Sequence, residues 1–225
     1  MPSNIHITAD PGSCWNGKKE YGFELIRIAK NCGADAIKFQ LFKGEEYTKS
    51  GNIELPYDIF TEFYQYGLEK KIAVTASVFD KGSLDFMMKF VVPFLKFGYS
   101  VRNTMADNIV GARNTGRNVH VSTSYMEAKK MVNDPKLKKF YVYHNKDGAE
   151  YPSEPIIGFN TFFPDVFQGY SDHSVDHENA RRAKDAGCMN FECHITLPYS
   201  DIQVPDRWFA KEPKRFEQYV EELRS

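Results

Sequence analysis

The sequence predicts an α/β protein, a (β/α)8 TIM barrel built as a single domain over residues 1–225. Three observations predict it. Short runs rich in β-branched and aromatic residues alternate with longer segments of helical apolar spacing, which implies parallel strands joined by right-handed crossovers. The length of 225 residues suits about eight such units in one domain. No glycine-rich dinucleotide fingerprint follows the first strand, which disfavours an open doubly wound sheet.

NIHITAD (4–10) is the first strand and leads into KKEYGFELIRIAKNCG (18–33). There Phe23, Ile26, Ile28 and Ala29 approximate one apolar helical face, closed by Gly33. AIKFQLF (36–42) precedes a helix over 56–71, and IAVTASV (72–78) precedes one over 81–91. FLKFGYS (94–100) is followed by 103–116, and NVHVSTS (118–124) by MEAKKMVND (126–134). KFYVYHN (139–145) runs into a long polar loop. FQGYSDH (167–173) leads to a helix over 175–187, and NFECHITL (190–197) to the last helix, 213–224. In that helix Phe216, Val220 and Leu223 recur at helical spacing and are expected to close the barrel. No linker or low-complexity segment divides the chain.

A formal net charge of −1 gives no reason to expect nucleic acid or an anionic membrane as partner. Cys14, Cys32, Cys188 and Cys193 form no C-x-x-C spacing, so a zinc cage is not expected; reduced thiols and a cytoplasmic location are. No apolar run reaches the length of a membrane span. A small-molecule substrate is the partner that remains.

Alternate strand residues share a face. Lys38 and Gln40 therefore point together, as do Lys96, Gly98 and Ser100, then His120, Ser122 and Ser124. Glu192, His194 and Thr196 lie opposite Cys193 and Ile195. Thr75 and Ser77 are read on opposite faces, so that at most one looks inward. Parallel sheets are covered on both sides, and the polar face must then line a cavity at the C-terminal ends of the strands. One strand lysine can reach water along its stem. Two buried ammonium groups call for an anion, a phosphate or a carboxylate. His173 and His194 fall on consecutive strands about 4.8 Å apart. Two readings stand for them: joint ligands of Mn²⁺ or Mg²⁺ with an open, watery coordination sphere, or two hydrogen-bonded core histidines. His6, His120, His144 and His177 have no such pairing and read as structural or surface groups.

These residues sit in motifs that resemble the sialic acid synthase family, the phosphoenolpyruvate-dependent nonulosonate synthases. NCGADAIKFQLF is similar to A-x-x-x-G-A-D-A-V-K-F-Q, VTASVFD to s-T-p-F-D, FLKFGYS to K-I-x-S, and VHVSTSYM to the S-T-G-M strand. GYSDHSVDHENARRAKDAG followed by FECHITL resembles G-Y-S-D-H-T … E-K-H-F-T-L, and PDRWFAKEP resembles P-D-x-x-F-S-x-x-P. The matches keep family order over almost the whole chain. The resemblance implies a TIM barrel that adds C3 of phosphoenolpyruvate to the aldehyde of an N-acyl amino sugar such as N-acetylmannosamine. Water adds at C2 and phosphate leaves by C–O cleavage. It implies that Lys38, Ser77, Lys96, Ser122 and Ser171 hold phosphoenolpyruvate, and that His173 and His194 bind Mn²⁺ or Mg²⁺. Gln40, Tyr151 and Asp206 would contact the sugar. Lys38, Lys96, Glu192 and Asp10 are the residues expected to carry catalysis.

The chain departs from the family pattern in four places. DPGSCWNG stands for E-I-G-x-N-H-N-G, so Asp10 replaces a glutamate and Cys14-Trp15 an Asn-His pair. Ser124 and Tyr125 interrupt S-T-G-M. VYHNKDGAEYP keeps Tyr151 and Pro152 of L-H-C-x-x-x-Y-P, with Asn145 as a candidate for the preceding asparagine. The sequence stops after the barrel, where the family continues into an antifreeze-like domain that lends an arginine to the partner subunit. The resemblance allows a homo-oligomer. Trp15 reads as a lid or sugar platform, or as a plain loop aromatic. The alternative to a synthase is a non-catalytic barrel that binds or docks. A third reading, an acceptor bearing its own phosphate, needs a basic cluster at the mouth, for which Arg102 with Arg207 is the only candidate pair.

Overall fold

The computed structural model describes residues 4–131, 133–144 and 163–225. Eight parallel strands close into a barrel in simple chain order. They are β1 (His6–Asp10), β2 (Ala36–Leu41), β3 (Ala73–Val78), β4 (Leu95–Phe97), β5 (Val119–Ser122), β6 (Leu137–His144), β7 (Gly169–His173) and β8 (Asn190–His194). The described helices are α1 (Lys19–Asn31), α2 (Glu45–Thr48), α3 (Tyr57–Lys70), α4 (Lys81–Met87), α5 (Ala106–Asn114), α6 (Tyr125–Lys130), α7 (Glu178–Asp185) and α8 (Pro213–Arg224). The single turn of α2 is the one described helix that the apolar spacing did not announce; four residues are too few to show a period.

Strand periodicity sorts the side chains into two shells. Outward residues such as Ile7, Phe39, Val74, Phe97, Val121, Phe191 and Cys193 join one buried cluster with Leu25, Ile26, Phe216, Val220 and Leu223 of the helices. The closing role expected of the last helix is therefore met. Asp172 and Lys139 break the apolar outer pattern, and each is satisfied: Asp172 by Lys211 Nζ at 3.3 Å, Lys139 Nζ by Asn133 Oδ1 at 3.0 Å.

Inward residues form layers. Toward the N-terminal ends His120 lies flat on Phe94, ring centres 3.9 Å apart, and packs against Phe140 at 4.8 Å. Burial, with Lys96 above it, pushes the His120 pKa well down, so the ring is neutral and acts as core. Gly169 sits opposite Phe140 in the ladder; a Cβ there would lie 2.4 Å from the ring, so glycine makes room for the phenyl inside the barrel. The opposed faces expected for Thr75 and Ser77 are not found. Residues two apart share a face, Thr75 pairs laterally with inward Lys38, and Ser77 lines the chamber above. Thr75 fills the lower layer, donating to the Phe94 carbonyl at 2.7 Å.

Candidate active site

The upper layer holds the charges. Lys38 Nζ, from the middle of β2, lies 2.5 Å from Asp10 Oδ2 at the end of β1 and 2.9 Å from Ser77 Oγ on β3. Lys96 Nζ, from β4, lies 2.6 Å from Glu192 Oε1 on β8 and 4.1 Å from the centre of the Phe140 ring. Ser171 Oγ, from β7, donates to the same Glu192 oxygen at 2.6 Å. Both ammonium groups and both carboxylates are at most 4 % exposed. Gln40, Tyr99, Ser100, Ser122, His173 and His194 complete the wall of a chamber of about 60 Å³. The Asp10 side chain, one methylene shorter than glutamate, reaches its lysine.

Burial decides the direction of some pKa values and neighbouring charges the rest. Burial alone would neutralise Lys38, but Asp10 and Glu192 outweigh it and raise its pKa. Burial wins at Lys96, pushing its pKa down to about 8 against the pull of Glu192. Glu192 resists burial because Lys96 and Lys38 hold its pKa below the usual carboxylate range. The second carboxylate oxygen, Glu192 Oε2, is buried and accepts no hydrogen bond among the described residues.

The two histidines are brought together. His173 and His194 have ring centres 4.9 Å apart at 84°. Phe209 stacks on His173 at 5.0 Å and meets His194 edge-on at 4.8 Å, which fixes both ring planes. His173 Nε2 is 3.3 Å from Ser171 Oγ, and His194 Nε2 is 3.5 Å from Asp10 Oδ2. Asp206 Oδ1 lies 3.9 Å from His194 Nδ1, while its Oδ2 accepts from the Ser13 amide at 2.7 Å. Burial, with Asp10 nearby, pushes Asp206 up to about 7. Gly12, at φ +51°, is required here: a Cβ would fall 2.1 Å from Asp206 Oδ2. Among the described residues no group of three or more His, Cys, Asp or Glu side chains converges to cage a metal ion.

Other expectations fare differently. Tyr151, with Asn145 and Pro152, lies outside the described residues. Trp15 is neither lid nor platform; it is 2 % exposed and meets Phe63 edge-on at 6.4 Å in the core. Arg102 pairs with Glu127 of α6 at 2.7 Å and Arg207 with Glu212 at 2.9 Å, so the two guanidiniums are engaged separately rather than jointly. The four cysteines are free thiols, and no described helix is long and apolar enough to cross a membrane.

Two supports were not foreseen. Lys211 ties the two histidine strands: its backbone amide donates to the His194 carbonyl at 2.7 Å and its ammonium meets Asp172, next to His173. Nothing in the sequence marks that pairing across 39 residues. Glu127 collects the loop after β5; its capping box with Ser124 was legible as S-x-x-E, its bond to Arg102 was not. A larger cavity of about 290 Å³ lies outside the barrel between α5 and α6 and is mainly apolar.

Comparison with known proteins points the same way. The family model described as the NeuB family matches residues 46–225. Human N-acetylneuraminate-9-phosphate synthase is 28% identical over 223 residues, covering 85% of this chain and 62% of that protein. The spore coat polysaccharide biosynthesis protein SpsE of Bacillus subtilis is 25% identical over 260 residues, covering 98% of this chain and 67% of that protein. The chain thus spans roughly two thirds of the length of these relatives. Among solved structures, the N-acetylneuraminic acid (sialic acid) synthetase of Leptospira borgpetersenii serovar Hardjo-bovis superposes with a TM-score of 0.78 at 22% identity, over 97% of this chain and 82% of that one, a likeness of fold.

Proposed function

Because the chain belongs to the NeuB family, we propose that it is a synthase that joins phosphoenolpyruvate to the aldehyde of an open-chain N-acyl amino sugar, of the N-acetylmannosamine kind. The products are a nonulosonic acid and phosphate. One observation carries the reading: two buried ammonium groups, Lys38 and Lys96, share a chamber with the hydroxyls of Ser77, Ser122 and Ser171 at the C-terminal ends of the strands.

In the reaction C3 of phosphoenolpyruvate bonds to the aldehyde carbon, whose oxygen takes up a proton. C2, left electron-poor, takes the oxygen of water, which gives up a proton. The bond from C2 to the phosphate oxygen then breaks. The chain's residues divide this work by position. Lys38 and Lys96, with the three serines, bind the phosphate and carboxylate and offset charge as it shifts onto the leaving group. Asp10 and Glu192 keep the ammonium groups charged and aimed. The open acceptor Glu192 Oε2 suits an incoming O–H, from water or sugar. Gln40 lines the chamber and Asp206 lies beside His194; these two would meet the sugar, with Tyr151 as a further contact.

A divalent ion suits this site on two grounds. His173 and His194 are adjacent imidazole donors, and among the described residues no group of three or more metal-ligating side chains converges on one point, which fits Mn²⁺ or Mg²⁺ keeping water and substrate in the rest of its shell. Two ammonium groups against two carboxylates also leave the wall near neutral, whereas phosphoenolpyruvate brings roughly three negative charges. When bound, such an ion would polarise the aldehyde carbonyl and supply the missing positive charge.

The deciding experiment is phosphate release from phosphoenolpyruvate with Mn²⁺ or Mg²⁺ and a panel of N-acyl hexosamine aldehydes. Release that requires both substrates is expected. No release with any member of the panel would overturn the synthase reading and leave a barrel that only binds.

A further inference from the structure

Two ionised side chains stand just behind the chamber wall and take part in neither of its ion pairs. Glu127, in the first turn of α6, gathers four donors on Oε2: Arg102 Nε at 2.7 Å, Ser124 Oγ at 2.6 Å, and Thr123 Oγ1 and the Ser124 amide at 3.1 Å each. Arg102 leaves the loop after β4. It donates through Nη1 to the Tyr99 carbonyl at 2.7 Å and lays its guanidinium 3.6 Å from the centre of the Tyr99 ring. Tyr99 and Ser100 line the chamber from that loop, and Ser122 lines it from the end of β5, where the loop to α6 begins. The Arg102–Glu127 bond spans 25 residues and ties one loop to the other.

Packing anchors part of this, since Val101 is buried in the core cluster, but Arg102 and Glu127 stand at its edge with partly exposed side chains. Behind the pair lies the cavity of about 290 Å³, walled by Ile109, Val110, Met131 and Leu137 together with Arg102 and Glu127 themselves. That pocket opens to solvent, Val110 being 47 % exposed, so on this side the two side chains are held by their hydrogen bond. The capping box explains the Ser124 contacts of Glu127 but not the guanidinium, because capping needs only a neutral acceptor three residues on.

We propose that Glu127 is a positioning residue for the bound anion: paired with Arg102, it locks the loop 98–102 against the turn that joins β5 to α6, so that Lys96, Ser100 and Ser122 meet the phosphate in one geometry. This rests on the phosphoenolpyruvate reading of the chamber. Glu127 touches no substrate; it acts through Arg102, Tyr99 and the Thr123–Ser124 turn.

Glu127→Gln separates the two roles, since glutamine retains the cap and removes the charge. With Mn²⁺ present and the full chain, isothermal titration is expected to show phosphoenolpyruvate bound about tenfold more weakly than by wild type. KM for phosphoenolpyruvate rises in step, while KM for the aldehyde and kcat stay within about twofold. Arg102→Ala gives the same loss, and the double variant is no worse than either single one, as one link requires. Amide hydrogen exchange of 98–102 and 122–124 speeds up in both variants without ligand, and melting temperature moves by only about 2 °C. Wild-type affinity in both single variants, or losses that multiply in the double, overturns the positioning role and leaves the chamber reading intact. A wild-type chain that binds no phosphoenolpyruvate overturns both, and that result appears before any substitution is made.

Discussion

Lys96 is gripped by Glu192 on one side and rests over the Phe140 ring on the other, so its proton answers to both burial and a carboxylate. Burial lowers its pKa from 10.5 to about 8, which leaves it charged at neutral pH and titrating just above. Two opposite trends follow. Affinity for phosphoenolpyruvate is expected to fall as pH rises through about 8, because the anion needs the ammonium form. Stability moves the other way: between about 8 and 10.5 the unfolded chain holds this proton more firmly, so the stability cost of Lys96 seen at lower pH is removed as pH climbs. Comparing Lys96→Met with wild type, by titration calorimetry and urea unfolding across that window, isolates both slopes. At pH 7 the same variant should lower kcat/KM for phosphoenolpyruvate by about 100-fold. It should also destabilise the fold by about 3 kcal/mol, because Glu192 is then buried without its partner. Strand alternation made Lys38, Lys96, Glu192 and His194 legible as inward residues. It could not reveal which carboxylate meets which lysine, since Lys96 and Glu192 are 96 residues apart and meet across the barrel.

At the scale of elements, the strands were legible to within a few residues and the loops were not. FLKFGYS narrows to the three residues of β4 because Gly98, Tyr99 and Ser100 turn away to frame the chamber. Ser124 leaves β5 to cap α6 for the same reason: the chain must bend where the site begins. Trp15 was misread because a loop position in sequence does not tell whether the loop folds back onto a helix, and here it reaches Phe63 on α3. The pairing of β6 with β7 carries its own test. Gly169→Ala would drive a methyl into the Phe140 ring, which His120 packs from the other side and Lys96 covers from above. A loss of about 1–3 kcal/mol is expected from overpacking, read by thermal or urea unfolding. Phosphoenolpyruvate affinity should fall as well, because the displaced ring lies under the ammonium. Gly111→Ala, with nothing near its Cβ and a position inside α5, serves as the control and should stabilise by about 0.5–1 kcal/mol, because alanine is the better helix former.

For the whole molecule, fold class was legible because eight repeated units state the same architecture independently, so an error in one did not disturb the rest. The proposed Mn²⁺ or Mg²⁺ dependence would be a property of the assembled chamber, where charges from four strands balance. Treatment with a chelator is expected to weaken phosphoenolpyruvate binding by about tenfold or more, with recovery on adding Mn²⁺; equal affinity with and without chelator would remove the ion from the binding step. Closure itself has a temporal consequence. β8 pairs with β1 along five residues, His6 through Asp10 against Asn190 through His194. During synthesis the lysine-bearing strands leave the ribosome long before β8, so β1 keeps a bare hydrogen-bonding edge until β8 has emerged. A nascent chain stalled before residue 190 should therefore be the species that chaperones capture, and the last strand delivered is also the one that completes the histidine pair.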